Sequence, residues 1–329
     1  MPYPYPIYAC KPTFARSEHL APCQQSSTYS HFEQVYHQLS RGVYSGLTTF
    51  IDFGGLFSIE MESFNQELDQ WGAVGEDRFC IVFQTTDVPI NRVGNQFFER
   101  DSVLCMSPGG DFDLRVTPET SFCAIIFRAD FIEPLIKHFY PKLAEADRLI
   151  FPTTLAREVP ILGALRSLIS QLVEFQAGEA ESEASAGRKH SLEFSIISLA
   201  AGLIADQAGQ NVGEKLDVGH GFAKVAAIRK FMRQASGVDV QVERLASTFG
   251  MSRRQIEYLF RKRFDLSPNH YKKLILLNEF QAALLKPENC GRCIGDIAAD
   301  FNIWHLSRLA QEYRELFGIL PSMHRLSIQ

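Results

Sequence analysis

The chain has 329 residues, 46% hydrophobic and 22% charged, with 33 basic against 38 acidic side chains. At roughly 100–200 residues per domain, that length excludes one small module and leads to two domains, each with its own core. No run approaches the roughly 18 consecutive apolar residues of a membrane span, and the N-terminal MPYPYPIYACKPTF lacks the apolar run of a signal peptide, so a cytoplasmic protein with no membrane partner is expected, its seven cysteines reduced.

Residues 1–40 are rich in Pro, Ser, Gln and Tyr without periodicity and read as a loosely ordered head. Residues 41–208 form the first candidate domain. From about Leu47 to Arg128 the pattern has period two. In Phe57-Ser58-Ile59-Glu60-Met61-Glu62 and in Phe112-Asp113-Leu114-Arg115-Val116-Thr117, apolar and polar residues alternate, one set on each face of a half-buried strand. Phe79-Cys80-Ile81-Val82-Phe83 and Cys123-Ala124-Ile125-Ile126-Phe127 are apolar throughout and suit deeper strands, with Gly54-Gly55 and Pro108-Gly109-Gly110 as turns. Short strands at this spacing make a sandwich or small barrel. After Pro152 the period becomes helical. Ile161, Leu165, Leu168, Leu172 and Phe175, then Leu192, Ile196, Leu199 and Leu203, recur at intervals of three and four around AGEAESEASAGRK, the expected loop of a helical hairpin. Both stripes can cover the barrel, and the second can instead be the seam of a homodimer. Residues 209–220, within the glycine-rich GQNVGEKLDVGHG, are the expected linker.

Residues 221–329 read as all-helical. From Gly219 onward there are 17 basic and 10 acidic residues, a net charge of +7, against −12 for the rest, which suggests that the tail alone meets a polyanion. The tail also contains a repeat. Leu245-Ala246-Ser247-Thr248-Phe249-Gly250-Met251 lies over Ile297-Ala298-Ala299-Asp300-Phe301-Asn302-Ile303 at an offset of 52, and beyond the turn Ile256, Phe260, Phe264 and Pro268 match Leu309, Tyr313, Phe317 and Pro321 at 53. Each copy is helix, tight turn, helix. Small Ala246 or Ala298 lets the helices cross closely, and Gly250 or Asn302 takes the positive φ of the turn. Ser252 is placed to cap the next helix. There Ile256, Leu259, Phe260 and Phe264 share a buried face, while Arg254, Glu257, Tyr258 and Arg261 share the other, with Arg253 and Lys262 beside them. Arginine forks, a carboxylate and a tyrosine are what a major groove can be read with. In the second copy Leu306, Leu309, Tyr313, Leu316 and Phe317 are expected inward, leaving Trp304, His305, Ser307, Arg308 and Gln311 for DNA. Between the copies, PNHYKKLILLNEFQAALLK suits one continuous helix that fixes their separation.

The two helix-turn-helices, the FDLSP and FGILP endings and the joining helix resemble the AraC/XylS family of transcriptional regulators over about the last hundred residues. PGGDFDLRVTP and IWHLSRLAQEYRELFG are further similar to the branch that includes the ethanolamine-operon regulator, whose ligand is not carried over. The resemblance implies an α+β two-domain protein: an N-terminal cupin-like β-barrel with a helical hairpin that binds a small-molecule effector and dimerises, and a C-terminal tandem helix-turn-helix domain on double-stranded promoter DNA. It also implies activation by contact with RNA polymerase. Phe57, Glu60, Trp71, Arg92 and Arg115 are the candidate effector-binding residues, although alternation leaves open which strand face is inside.

A cupin-type enzyme is the leading alternative. A metal oxygenase needs converging imidazoles, and no histidine lies between Arg41 and Asp130; all nine are read as outside the strands, so neither metal nor other cofactor is expected. Cys290 and Cys293, in CGRC, have zinc-like spacing but lack two further ligands. A DNA-bending architectural protein without effector would not need an acidic domain of this size.

Overall fold

The computed structural model describes residues 12–86, 91–94, 96–177, 183–209, 220–234 and 241–326. The alternating part of the chain forms β1 (Thr13–His19), β2 (Phe32–Gln38), β3 (Gly46–Asp52), β4 (Phe57–Phe64), β5 (Leu68–Val74), β6 (Arg78–Gln84), β7 (Asn91–Val93), β8 (Gln96–Phe98), β9 (Val103–Met106), β10 (Asp111–Val116), β11 (Thr120–Arg128) and β12 (Thr154–Ala156), with the short helix α1 (Pro22–Ser26) after β1. Helices α2 (Ala129–Phe139), α3 (Leu162–Ala177) and α4 (Glu183–Gly209) complete this domain.

The strands make two antiparallel sheets, one in the order β1-β3-β4-β11-β6-β9-β12 and one in the order β2-β5-β10-β7-β8. Among the described residues the expected barrel is therefore not closed by a ladder; it is two sheets face to face. The head is corrected too. β1 pairs with β3 from Thr13↔Asp52 to His19↔Gly46, and β2 with β5 from Phe32↔Val74 to Gln38↔Leu68, because both segments supply strand-length backbone to sheet edges that would otherwise stay unpaired. Residues 1–11 lie outside the described residues. His19 and His37 thus lie on strands, contrary to the reading of the sequence.

The seven-stranded sheet is covered on both faces. Phe57, Ile59, Phe79, Ile81, Phe83, Ile125 and Phe127 face α2, α3 and α4 in one core, while Phe64, Val82, Leu104, Phe122 and Ile126 meet Tyr36, Leu68, Phe112, Leu114 and Val116 of the five-stranded sheet in a second. This middle position explains why its central strands read as apolar throughout. It also consumes the stripe on α4: Leu192, Ile196 and Leu203 are buried against the sheet and Leu199 packs there, so the seam expected for a dimer is core within one chain. α4 starts at Glu183, inside the stretch expected to be loop, since Ala, Glu, Arg and Lys favour helix. Its residues 187–209 have the length and hydropathy of a membrane span, but more than half of their most apolar stretch is buried inside the molecule.

The C-terminal helices are α5 (His220–Gln234), α6 (Val242–Phe249), α7 (Arg253–Phe264), α8 (Pro268–Leu285), α9 (Ile294–Asp300), α10 (Leu306–Phe317) and α11 (Pro321–Leu326). All but the ends of the expected linker fall outside the described residues. α8 is shared: Tyr271 and Ile275 join Ile256, Phe260 and Phe264, while Leu274, Leu277, Phe280 and Leu284 join Leu309, Tyr313 and Phe317.

These helices dock on the outer face of the five-stranded sheet. Asp69 of β5 and Asp113 of β10 point away from the inter-sheet core and are buried under Arg229 of α5 and Arg263 of α7. Arg229 Nη1 reaches Asp69 Oδ1 at 2.8 Å, Arg263 Nη2 reaches Asp113 Oδ1 at 2.6 Å, Arg229 Nη2 also donates to Asp113, and the Tyr271 hydroxyl donates to Asp69. The Arg229 guanidinium lies 4.7 Å from the Trp71 ring centroid. Burial disfavours its charge, but the two carboxylates outweigh that and hold its pKa above the usual arginine value. Asn278 of α8 brackets β2, its Oδ1 accepting from Gln38 N at 2.8 Å and its Nδ2 donating to Gln38 O at 3.0 Å. At the far end Gly42 N donates to Leu316 O at 2.9 Å, beside Gly318 (φ 71°), where a Cβ would come within 2.8 Å of Val43.

Asp113→Ala leaves Arg229 with Asp69 alone and takes away the carboxylate that Arg263 holds. Breaking such a pair costs about 3–5 kcal/mol, so the urea midpoint is expected to fall accordingly; a loss below about 1 kcal/mol would mean that water already solvates the cluster.

Candidate functional site

The first helix-turn-helix is built by local chemistry. Gly250 ends α6 at φ 60°. Ser252 then caps α7 in a reciprocal box, its Oγ accepting from Gln255 N at 3.2 Å and its N donating to Gln255 Oε1 at 2.8 Å. Ile256, Phe260, Arg263 and Phe264 are buried, which turns Arg254, Tyr258, Arg261 and Lys262 to solvent on the opposite side, Tyr258 at 63% exposure. Arg253 and Glu257 are also at the surface, but they engage each other at 2.9 Å, and Arg253 also holds Glu243 at 3.0 Å. Glu257 is thereby set as the partner of Arg253.

The second copy repeats the turn with Asn302 at φ 56°. Its capping differs: α10 begins after His305, which makes no side-chain cap. Leu309, Tyr313, Leu316 and Phe317 are buried as expected, but Leu306 is 47% exposed, because it occupies the first position of the uncapped helix. Trp304, His305, Ser307, Arg308 and Gln311 are exposed, Trp304 most of all at 72%. Arg308 pairs with Glu312 at 2.8 Å, and Gln311 donates to Glu315 at 3.0 Å. An open groove of about 650 Å³ runs between the two copies, joining Arg253, Lys272 and Lys273 to Trp304, His305 and Arg308.

The N-terminal domain holds a second candidate site between its sheets. This cavity, about 40 Å³ where one water needs about 10–15 Å³, is walled by Tyr36, Val82, Leu104, Phe112, Leu114 and Phe122, and Glu60, Glu62, Gln34 and Gln70 reach into it. Glu62 accepts from Tyr36 Oη at 3.0 Å and Gln25 Nε2 at 3.3 Å. Glu60, 2% exposed, has only a 3.4 Å contact from Ser58 Oγ, and its Oε2 has no partner. Burial, then the neighbouring Glu62 charge, raises the Glu60 pKa to about 8; burial also raises Glu62 to about 7.

Of the candidate effector residues, Glu60 lines this cavity and the other four do not. Phe57 is on the helix side of β4, stacked on Phe53 at 4.0 Å. Trp71 and Arg115 are on the docking face, Arg115 bonding Glu67 at 2.6 Å and the Arg263 carbonyl at 3.0 Å. Arg92, across from Arg115 in register, lies 4.6 Å from the Phe97 ring. Sequence reasoning missed Glu62, Gln70 and Tyr36; alternation left the inside face open, but any face that takes Glu60 inside takes Glu62 with it. Cys80, Cys105 and Cys123 are buried thiols whose pKa values burial raises, whereas Cys290 and Cys293 are exposed. Among the described residues no group of three or more His, Cys, Asp or Glu is placed to hold a metal ion.

Residues 245–327 match a family model described as a helix-turn-helix domain. A XylDLEGF operon transcriptional activator from Pseudomonas putida is 32% identical over 126 residues, covering 37% of this chain and 39% of that protein. XylDLEGF operon transcriptional activator 3 of the same organism is 35% identical over 83 residues, 25% of each. The chain thus spans about two-fifths of the length of the first of these curated relatives. Among solved structures, ToxT from Vibrio cholerae O395 is similar at 10% identity and a TM-score of 0.33, covering 92% of this chain and 99% of that one. The C-terminal region is a helix-turn-helix domain, similar over this stretch to the XylDLEGF operon transcriptional activators.

The buried carboxyls set a pH dependence. Both have folded-state pKa values above the ordinary 4.5, so the folded protein keeps protons that the unfolded chain has released. Their stabilising effect is complete below about 4.5 and is lost as pH rises through 7 to 8, by up to about 1.4 kcal/mol per pH unit and group. Glu60→Gln is expected to flatten the fall of the urea midpoint between pH 5.5 and 8.5. The comparison isolates the carboxyl from His19, His31 and His324, whose burial lowers their pKa and acts in the opposite sense. An unchanged slope in Glu60→Gln would refute the assignment.

Proposed function

We propose that the protein is a sequence-specific transcriptional regulator, acting as an activator at promoter DNA, whose output responds to a small molecule bound in the N-terminal domain. The observation that carries the reading is the pair of helix-turn-helix units on α8, with Arg254, Tyr258 and Arg261 of the first and Ser307, Arg308 and Gln311 of the second all turned to solvent. An 18-residue α8, about 27 Å at 1.5 Å per residue, packs both units and so sets the spacing at which they meet the duplex.

Effector response is supported by the strands themselves. On β5, Gln70 faces the cavity while Asp69 and Trp71 face the docked helices; on β10, Phe112 and Leu114 flank Asp113 in the same way. A ligand between the sheets thus acts one residue away from the ion pairs that hold the DNA-binding domain. Contact with RNA polymerase, homodimerisation and a cytoplasmic site of action enter the reading from the AraC/XylS resemblance. A dimer cannot use the α4 stripe without unfolding the core. The narrower likeness to the ethanolamine-operon branch rests on two segments, one of which is β10 itself. No catalytic step forms part of the reading.

Binding of duplex DNA is expected to weaken steeply with salt, as released counterions require. Arg254→Ala, removing a possible bidentate donor, should cost about 1–3 kcal/mol on the selected site and relax choice at one base pair. Arg253→Ala, which removes a residue already held by Glu243 and Glu257, should cost less. Site selection on both variants checks this, and equal losses on selected and random DNA for Arg254→Ala would reduce that residue to a phosphate contact.

The two recognition helices are expected to be unequal. Alanine at Arg254 and Arg261 should abolish promoter occupancy, whereas alanine at Ser307 and Gln311 should leave most of it while lowering reporter output. Footprinting paired with reporter assays decides it, and equal loss of occupancy from the two pairs would remove the asymmetry.

A further inference from the structure

The inter-sheet cavity has apolar walls, yet its polar groups are short of partners. Glu60 Oε2 and Gln70 Nε2 are both buried without a hydrogen bond, one on each sheet. Among the described residues no Lys, Arg or His lines the space, so no described group in the wall neutralises Glu60 and Glu62, which stand two residues apart on the same face of β4. Leaving a carboxylate unpaired in such surroundings is costly. The cavity shares Tyr29, Phe32, Gln34 and Phe112 with a groove at the domain boundary that Arg229, Lys230 and Glu279 also line, which gives it a mouth.

We propose that this cavity is the binding site of a small aliphatic ammonium ion, its cationic head between Glu60 and Glu62 and its short apolar body against Val82, Leu104 and Phe122. A single cation answers both carboxylates at once, which a neutral hydroxyl cannot do. A carboxylate-bearing ligand would add a third acid beside Glu60 and Glu62, with no basic group among the lining residues to answer it. Room for about three waters corresponds to roughly four to six non-hydrogen atoms. The proposal rests on the effector reading above and names the class of effector.

Binding is linked to protons. Facing Glu60 are Glu62 on its own strand and the Cys80 thiol of β6, with Arg78 and Asp52 also acting on its charge, while the Cys123 thiol lies on the helix side of the sheet; Tyr29, Tyr36 and Tyr44 surround Glu62. None of these supplies a cation against the cavity, so a carboxyl that is protonated in the empty site at pH 7 releases its proton when the ammonium enters.

The test is calorimetric titration of the full chain with isobutylamine, isobutanol and isobutyrate, three probes of equal size and different charge. Isobutylamine is expected to saturate a single site at least tenfold more tightly than isobutanol, with no binding of isobutyrate. Its affinity should rise up to about tenfold per pH unit between pH 6 and 8, with proton uptake by the buffer. Glu60→Gln, isosteric and uncharged, should weaken the amine tenfold or more while leaving isobutanol unchanged and the thermal transition at or above that of the parent. Isobutanol or isobutyrate binding as tightly as the amine, no saturable amine binding, or an amine affinity indifferent to Glu60→Gln and to Glu62→Gln would each overturn the proposal. These titrations contain no DNA. Their failure therefore leaves the DNA-binding reading standing, and loss of DNA binding by a protein that still takes up isobutylamine would instead refute that reading.

Discussion

Two aspartates on the outer face of a sheet become buried only if something cationic covers them, and the docking of the two halves of this molecule follows from that constraint. Asp69 and Asp113 are answered by Arg229 and Arg263, with Tyr271 closing the remaining lone pair. A buried ion cluster is weak evidence for added stability, since desolvation offsets much of the attraction. What it does supply is geometry: a sheet face carrying two negative charges accepts these helices only where the guanidiniums meet them. The pairing also divides the positive charge of the tail. Arg263 lies within α7, two residues after Arg261, yet it points into the domain boundary while Arg254 and Arg261 point to solvent. One helix therefore docks on one side and presents to solvent, on the other, the residues proposed to read DNA.

Much of the architecture was legible in the alternation, but the side each residue takes was not. Period two in Phe57-Ser58-Ile59-Glu60 correctly separates two faces, and a polar set ordinarily means solvent. Here the sheet is a middle layer, so the polar set of β4 lies in a buried gap and the apolar set under helices. The same rule misleads on β5 and β10, where Trp71 and Arg115 look like residues of an interior and are instead the floor beneath the C-terminal helices. Period alone cannot distinguish a face turned to water from one covered by a distant part of the chain. That information resides in residues more than a hundred positions away, as the Asp69–Arg229 pair illustrates.

The tandem helix-turn-helix was legible almost to the residue because its determinants are local. A glycine or asparagine able to adopt positive φ, a serine with glutamine three residues later, and an apolar face at helical spacing are all contained in one short window. The endings repeat as well: Asp265 and Gly318 occupy equivalent positions, both with positive φ, each three residues before the proline that opens the following helix. Where the reading slipped, at Leu306, the local signal was absent, since His305 provides no cap and the first turn of α10 is less firmly defined than that of α7.

The cavity and the ion cluster are two faces of the same strands, and this constrains how a bound molecule could be felt at DNA. Side chains alternate, so a shift that moves Gln70 toward a ligand carries Asp69 and Trp71 with it, and a shift of Phe112 or Leu114 carries Asp113. The cluster lies directly behind these residues, its charge-assisted bonds of 2.6–2.8 Å made between buried groups. Opening of the Asp113–Arg263 pair would free α7 to move together with the face that carries Arg254 and Arg261. In the proposed reading, this is the route by which a change of packing between the sheets reaches Arg254 and Arg261, with no need for the ligand to approach the helices that carry them.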